Sequence, residues 1–211
     1  MIHIPFLKFL TKKKVETEHD PMKYLIVGIG NIGADYEGTR HNIGFDIADY
    51  LAAKNDGKWE SDTYAFYSEI KVKGRTLVII KPTTYVNLSG KAVRHWMTKF
   101  KIEKSNILVV LDDLNIDFGL LRLREKGSDG GHNGLNNIDQ MLGGNDYARL
   151  RVGIGNSFGK GRQINYVLGK WSKEESKDLD FIKSAAADAC VSFCTIGPKF
   201  TMEQYNKKVI E

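Results

Sequence analysis

The chain has 211 residues, 42% of them hydrophobic and 27% charged, proportions that suit one α/β domain and leave no room for two large ones. No stretch approaches the ~18 consecutive apolar residues of a membrane span, and the apolar run in the first ten residues is too short for a secretory leader. The net charge is +5, and residues 71–104 carry nine Lys or Arg against Glu103 alone. That imbalance fits an RNA or DNA partner, and it equally fits lysines spread over several solvated faces.

In chain order, residues 1–21 read as an extension: a short apolar patch from Ile4 to Leu10, the Lys12-Lys13-Lys14 run and a polar stretch to Pro21, with Met22 directly before the first good strand. Tyr24 to Val27 is an apolar run ending at Gly28, the pattern of a buried parallel strand. Ile43, Ile47 and Tyr50-Leu51 recur at helical spacing over residues 43–53. Phe66 to Val72 alternates, turns at Lys73-Gly74 and returns as Leu77 to Ile80, which predicts a hairpin. Asn87 or Ser89 is placed to cap a helix running to about Phe100. Ile107 to Leu111 reads as a central strand that stops at Asp112-Asp113.

Leu120 to Arg124 alternates as a strand, and Gly127, Gly130, Gly131 and Gly134 form a glycine-rich loop entering a helix that ends near Gly143-Gly144. Arg149 to Ile154 is a further strand. Ser172 with Glu175 makes a capping box for one long helix to about Cys194, and Gly197-Pro198 breaks it before a short terminal helix. Cys190 and Cys194, the only cysteines, lie one turn apart on one helix face and read as buried thiols of a reducing cytoplasm. Strands alternating with helices around one hairpin predict a single-domain α/β fold over residues 22–211: a twisted, mixed and mostly parallel sheet with helices on both faces.

The residues that carry chemistry gather at predicted strand ends. Gly28-Ile29-Gly30-Asn31-Ile32-Gly33 matches the dinucleotide turn, but that turn works only when a helix opens at the glycines, and residues 35–40 intervene. His41 follows at the mouth of the first strand, where open α/β sheets bind ligands and where an imidazole can take a proton from water. Asp112 ends the central strand at the same edge, where a carboxylate can hold the imidazole tautomer. Asn87, read on its own as a helix cap, and Asn133 in Gly130-Gly131-His132-Asn133-Gly134 reach that edge from two further loops. With Asn31 they make an amide-rich site suited to ester and peptide carbonyls, and one amide can donate to an oxyanion.

Four motifs in register carry a resemblance. They are Tyr24-Leu25-Ile26-Val27-Gly28-Ile29-Gly30-Asn31, Thr39-Arg40-His41-Asn42-Ile43-Gly44-Phe45, Lys81-Pro82-Thr83-Thr84-Tyr85-Val86-Asn87-Leu88-Ser89-Gly90 and Gly130-Gly131-His132-Asn133-Gly134-Leu135. With Arg149-Leu150-Arg151-Val152-Gly153-Ile154-Gly155 and Tyr166-Val167-Leu168-Gly169, the chain over about residues 23–208 resembles the bacterial-type peptidyl-tRNA hydrolases. The resemblance implies cleavage by water of the ester between a peptide and the terminal ribose of tRNA, with no metal or other cofactor, by a cytoplasmic monomer that binds no membrane. It implies His41 as catalytic base, Asp112 as its orienting carboxylate and Asn31, Asn87 and Asn133 as site amides. Tyr36, Tyr85 and His132 would line the substrate cleft, and Arg124 and Arg151 would hold the tRNA 5′-phosphate.

Three departures from the family's usual pattern stand out: Ile32 where proline is common, Asn115 where a second acid often follows Asp112, and the extra residues 1–21. The competing reading is a noncatalytic RNA-binding protein on the same fold. The pairing of His41 with Asp112 argues against it, since a pure binder has no need to activate water.

Overall fold

The computed structural model describes residues 19–210, so most of the expected N-terminal extension lies outside the described residues. Seven strands form one sheet in the order β2-β3-β4-β1-β5-β7-β6, where β1 is Lys23–Gly28, β2 Glu60–Asp62, β3 Ala65–Val72, β4 Arg75–Pro82, β5 Ile107–Asp113, β6 Leu121–Arg124 and β7 Ala148–Gly153. β4, β1, β5 and β7 run parallel in the middle, and β2, β3 and β6 add antiparallel pairs at the two margins. The expected mixed sheet is therefore present. The Lys73-Gly74 turn closes the β3–β4 hairpin with positive φ at both residues, which matches the right-handed twist of the strands it joins. The short exposed β2 was not foreseen, because Glu-Ser-Asp carries no apolar alternation.

The period-two pattern of the central strands divides their side chains between two cores. Ile26, Ile79, Leu108, Val110 and Leu150 meet helices α1 (Ile43–Lys54) and α6 (Leu179–Ile196) on one face. Leu25, Val78, Val109 and Leu111 meet α2 (Ser89–Lys99) and α3 (Asn133–Leu142) on the other. Truncating one of these fully buried leucines to alanine costs roughly 2–5 kcal/mol. Beyond α3 the second face carries Arg122 and Arg124 of β6 opposite Arg151 and Arg149 of β7.

Three local expectations change. Neither Asn87 nor Ser89 caps α2: residues 86–88 form a 3-10 turn, Leu88 sits at the N-cap, and the Asn137 side chain of α3 accepts the Gly90 N–H at 2.8 Å. The Ser172–Glu175 capping box forms, yet its helix α5 stops at Lys173–Ser176 and α6 starts afresh at Leu179. Hydrogen bonds from Lys177 and Asp178 back to Glu174 and Glu175 tighten the chain there into i→i+3 spacing. A five-residue helix, α4 (Gln163–Val167), lies in a segment with no apolar period of its own. Helix α7 (Pro198–Tyr205) begins as expected after Gly197-Pro198.

Cys190 and Cys194 are buried on α6 as free thiols, and burial pushes the Cys190 thiol up to about 12. Among the described residues no helix is long and apolar enough to cross a membrane.

Candidate active site

The glycines at the end of β1 and just beyond it serve packing rather than a dinucleotide. A Cβ on Gly28 would lie 2.2 Å from the carbonyl oxygen of Gly44 at the start of α1, and one on Gly30 would meet the Asn42 side chain at 2.9 Å. A 3-10 turn at Ala34–Tyr36 follows them in place of a helix, and the first turn of α1 packs directly on Gly28, so no room for a pyrophosphate is left between the glycines and that helix N-terminus.

Instead the chain delivers polar groups to the C-terminal edge of the parallel strands. A second 3-10 turn, Arg40–Asn42, presents His41 beside the end of β5. Its Nδ1–H donates to Asp112 Oδ1 at 2.8 Å, and Asp112 is almost fully buried. Burial alone would lower the His41 pKa, but the negative charge of Asp112 and its hydrogen bond outweigh burial and raise it above 6.5. Burial works to raise the Asp112 carboxyl, yet His41 and His132 hold it well below the usual carboxylate range.

His132 is the second imidazole on that carboxylate. Its Nδ1 caps α3 by accepting the N–H groups of Gly134 and Leu135, so Nε2 carries the proton and donates to Asp112 Oδ1 at 3.2 Å. The two rings lie 5.2 Å apart at a tilt of 44°. His41, Asp112 and His132 are the one group of three metal-capable residues among the described residues, with ligand atoms within 4.8 Å of one another. In the structure the three are joined as a hydrogen-bonded unit, with His41 Nδ1–H and His132 Nε2–H both donating to Asp112 Oδ1.

With Nδ1 bound to Asp112, His41 has Nε2 left for chemistry, and the ring borders a cavity of about 510 Å³. Asp112, Asn115, His132, Asn133 and Arg151 share its lining, and Ile164 and Val167 of α4 form an apolar wall. Asn31 and Asn87 do not line this cavity. The Asn31 backbone is locked to Asn42, with its N–H donating to Asn42 Oδ1 at 2.8 Å and its carbonyl accepting from Asn42 Nδ2 at 3.0 Å. Asn31 Oδ1 accepts the Val86 N–H at 2.9 Å, which leaves the Nδ2 amide as a donor. Asn87, next to Val86, is exposed, and Tyr36 and Tyr85 meet edge to face with centroids 6.2 Å apart.

The two arginines expected to share a phosphate lie on the same face of adjacent strands, two residues out of direct register. They do not touch as a preformed pair. Arg124 is exposed, whereas Arg151 donates to Asp113 Oδ2 at 2.7 Å and to the Ser128 carbonyl at 2.7 Å. Arg151 thus pairs with an acid, Asp113, at the edge of the site. Of the basic surface, Lys99 is paired with Asp62 and Lys104 with Asp146.

Sequence reasoning assigned no role to Asn42, Asp113 or Asn137. Asn42 was the readable one, because a polar side chain immediately after His41 and before an apolar helix face has few places to point except back into the site.

The chain has counterparts among known proteins. The family model described as peptidyl-tRNA hydrolase matches residues 25–211. Peptidyl-tRNA hydrolases of Cytophaga hutchinsonii and Phocaeicola vulgatus are each 52% identical over 187 residues, 89% of this chain and 100% of theirs. A crystal structure of peptidyl-tRNA hydrolase from Acinetobacter baumannii, 32% identical, superposes with a TM-score of 0.84 over 92% of this chain and 100% of that one. The chain belongs to the peptidyl-tRNA hydrolase family.

Proposed function

We propose that this protein hydrolyses the ester between a peptide, or an N-blocked amino acid, and the 3′-terminal ribose of tRNA, freeing the tRNA for translation. Membership of the family and 52% identity to peptidyl-tRNA hydrolases support the reaction. The observation that carries the mechanism is the 2.8 Å bond from His41 Nδ1 to buried Asp112, which leaves Nε2 as the basic nitrogen. In this reading His41 Nε2 takes a proton from water as the oxygen attacks the ester carbonyl, and Asp112 stabilises the imidazolium that forms. Asn31 Nδ2 donates to the developing oxyanion. The same proton then passes to the departing ribose oxygen, so His41 returns to its starting state.

Asn87 and Asn133 hold peptide groups between His132 and the Tyr36–Tyr85 pair. Arg124 and Arg151 engage the 5′-phosphate, where Arg151 has to divide its charge between the phosphate and Asp113. The reaction as read here needs no metal or other cofactor, and the protein acts as a cytoplasmic monomer.

A free α-ammonium facing donor amides would be desolvated without a partner, so acylated amines are favoured. The test incubates the protein in chelator with N-acetyl-aminoacyl-tRNA and with the unblocked form. Release of the blocked amino acid alone is expected. Binding without cleavage of either substrate would leave an RNA-binding protein, and equal cleavage of both would remove the discrimination argued from the amides.

A further inference from the structure

Arg40, the residue before His41, is 9% exposed and carries more contacts than a structural surface arginine needs. Its Nη2 donates to Glu175 Oε2 at 2.6 Å and its Nε to Oε1 at 3.3 Å, a two-pronged ion pair with α5. Nη1 donates to the carbonyls of Lys170 at 2.9 Å and Tyr166 at 3.3 Å. The guanidinium carbon lies 4.3 Å from the Tyr166 ring centroid and 5.3 Å from that of Trp171. The backbone joins in: Arg40 N–H donates to the Gly169 carbonyl, and Thr39 bridges Lys170.

The segment gripped in this way has little else to hold it. Helix α4 is five residues long and buries none of them, too short to persist by its own hydrogen bonds. Its other anchors are few: Tyr166 Oη donates to the Ile154 carbonyl at 2.7 Å, and Phe158 packs on Tyr166. Yet this helix supplies the apolar wall of the catalytic cavity, through Ile164, which is 70% exposed, and Val167. Glu175 Oε2 also accepts the Ser172 N–H of the capping box, so the start of α5 is tied into the same knot.

We propose that Arg40 is a positioning residue that fastens the Gln163–Val167 wall to the turn bearing His41, so that the wall and the base are held in one arrangement. It touches neither the reacting atoms nor Asp112. It acts on the wall: when the fastening is loosened the wall samples open positions, and substrate must close it at the expense of binding free energy. The His41–Asp112 pair keeps its own hydrogen bond in that event, because that bond runs to β5 while the side-chain bonds of Arg40 run to Tyr166, Lys170 and Glu175.

This inference rests on the ester-hydrolase reading for its kinetic arm and is independent of it for its exchange arm. Lysine at position 40 keeps the charge but cannot reproduce the fork or the stack. Arg40→Lys and Glu175→Gln are each examined for kcat, KM and the pH dependence of kcat, and by amide hydrogen exchange without substrate. Should Arg40→Lys fail to fold, Glu175→Gln still leaves the guanidinium bound to the Tyr166 and Lys170 carbonyls. The expected result is a KM raised about tenfold with kcat within about threefold of wild type. The acidic limb of the pH profile stays in place, and faster exchange is confined to residues 156–176, the wall and the start of α5 tied to it.

Unchanged KM in a folded Arg40→Lys protein would overturn the proposal. So would a fall in kcat with a shifted pH limb at unchanged KM, which would place the effect on His41 itself. Faster exchange throughout the sheet would reduce Arg40 to a general stabiliser. If wild type fails to cleave the ester, the reaction reading falls, while the exchange pattern still decides whether Arg40 fastens the wall.

Discussion

Replacing Asp112 by asparagine removes the charge that supports His41 while leaving an oxygen where both imidazoles point. Oδ1 receives His41 Nδ1–H at 2.8 Å and His132 Nε2–H at 3.2 Å. His132 cannot reverse its role, since its Nδ1 is committed to the N–H groups of Gly134 and Leu135. The asparagine is therefore held with its carbonyl toward both rings, and the His41 tautomer survives. What is lost is the attraction between carboxylate and imidazolium. Two unit charges about 4 Å apart attract by about 4 kcal/mol at an effective dielectric near 20. That sets a ceiling of roughly 10³-fold on the rate loss. Only part of the imidazolium charge has developed in the transition state, so the expected fall in kcat is about 10²-fold.

The pH dependence supplies a second number to check. Asp112 raises the His41 pKa above 6.5 against the lowering by burial. His41 must be neutral to accept a proton, so the wild-type rate climbs as pH rises through that raised value. In Asp112→Asn only burial remains, and the climbing limb moves to more acid pH. Single-turnover cleavage of N-acetyl-aminoacyl-tRNA across about pH 5 to 9 measures both effects. A loss under about threefold with an unmoved limb would refute the coupling of Asp112 to His41. A loss of about 10⁴-fold, the size associated with an inverted tautomer, would refute the argument from His132.

His132→Ala removes a helix cap and one of the two donors to Asp112, so unfolding titrations should show about 1 kcal/mol of destabilisation, and kcat should fall by roughly tenfold because the carboxylate is less well fixed. Gly28→Ala places a methyl 2.2 Å from the backbone oxygen of Gly44 and should yield little folded protein by circular dichroism, whereas Gly38, with nothing within 4 Å, should tolerate alanine far better despite its positive φ. Burial raises the Asp46 carboxyl from 3.8 to about 6, so its ionisation costs the fold up to about 3 kcal/mol above that pH. The stability of Asp46→Asn should accordingly exceed wild type at neutral pH and lose that advantage near pH 4, and equal stability at both would contradict it. Removing Arg124 or Arg151 should weaken binding of tRNA that bears a 5′-phosphate and matter little for tRNA without it, as measured by filter binding; Arg151→Ala also leaves Asp113 unpaired and should lower stability in addition.

The sheet was legible because its central strands are continuous apolar runs and its hairpin carries Lys73-Gly74, signals that depend on local sequence alone. Helix α4 and the break between α5 and α6 were not: α4 has no apolar period of its own and meets Arg40 at Tyr166, 126 residues away in sequence, and the break is a turn of backbone bonds from Lys177 and Asp178 that leaves no mark on the apolar pattern. Among the site residues, His41, Asp112, His132, Asn133 and Arg151 meet around one cavity, with His41 in the turn after β1, Asp112 at the end of β5, Arg151 within β7, and His132 and Asn133 in the loop that follows the antiparallel β6. The roles of His132 and Asn31 were harder to read: one caps α3 while binding Asp112, and the other is oriented by Asn42 and Val86. Such bonds join loops that sequence spacing treats as unrelated. Asn87 stood between a cap and a site amide, and the cap is excluded because Asn137 of the facing helix binds the first free N–H of α2.

The central claim is that His41 acts as the base that activates water for ester cleavage. The most direct measurement is the single-turnover rate of N-acetyl-aminoacyl-tRNA hydrolysis in chelator by wild type and by His41→Ala, with circular dichroism and tRNA binding recorded on the same samples. The account predicts a folded, tRNA-binding variant slowed by about 10²–10⁴-fold. A folded variant that cleaves within about threefold of the wild-type rate would contradict it.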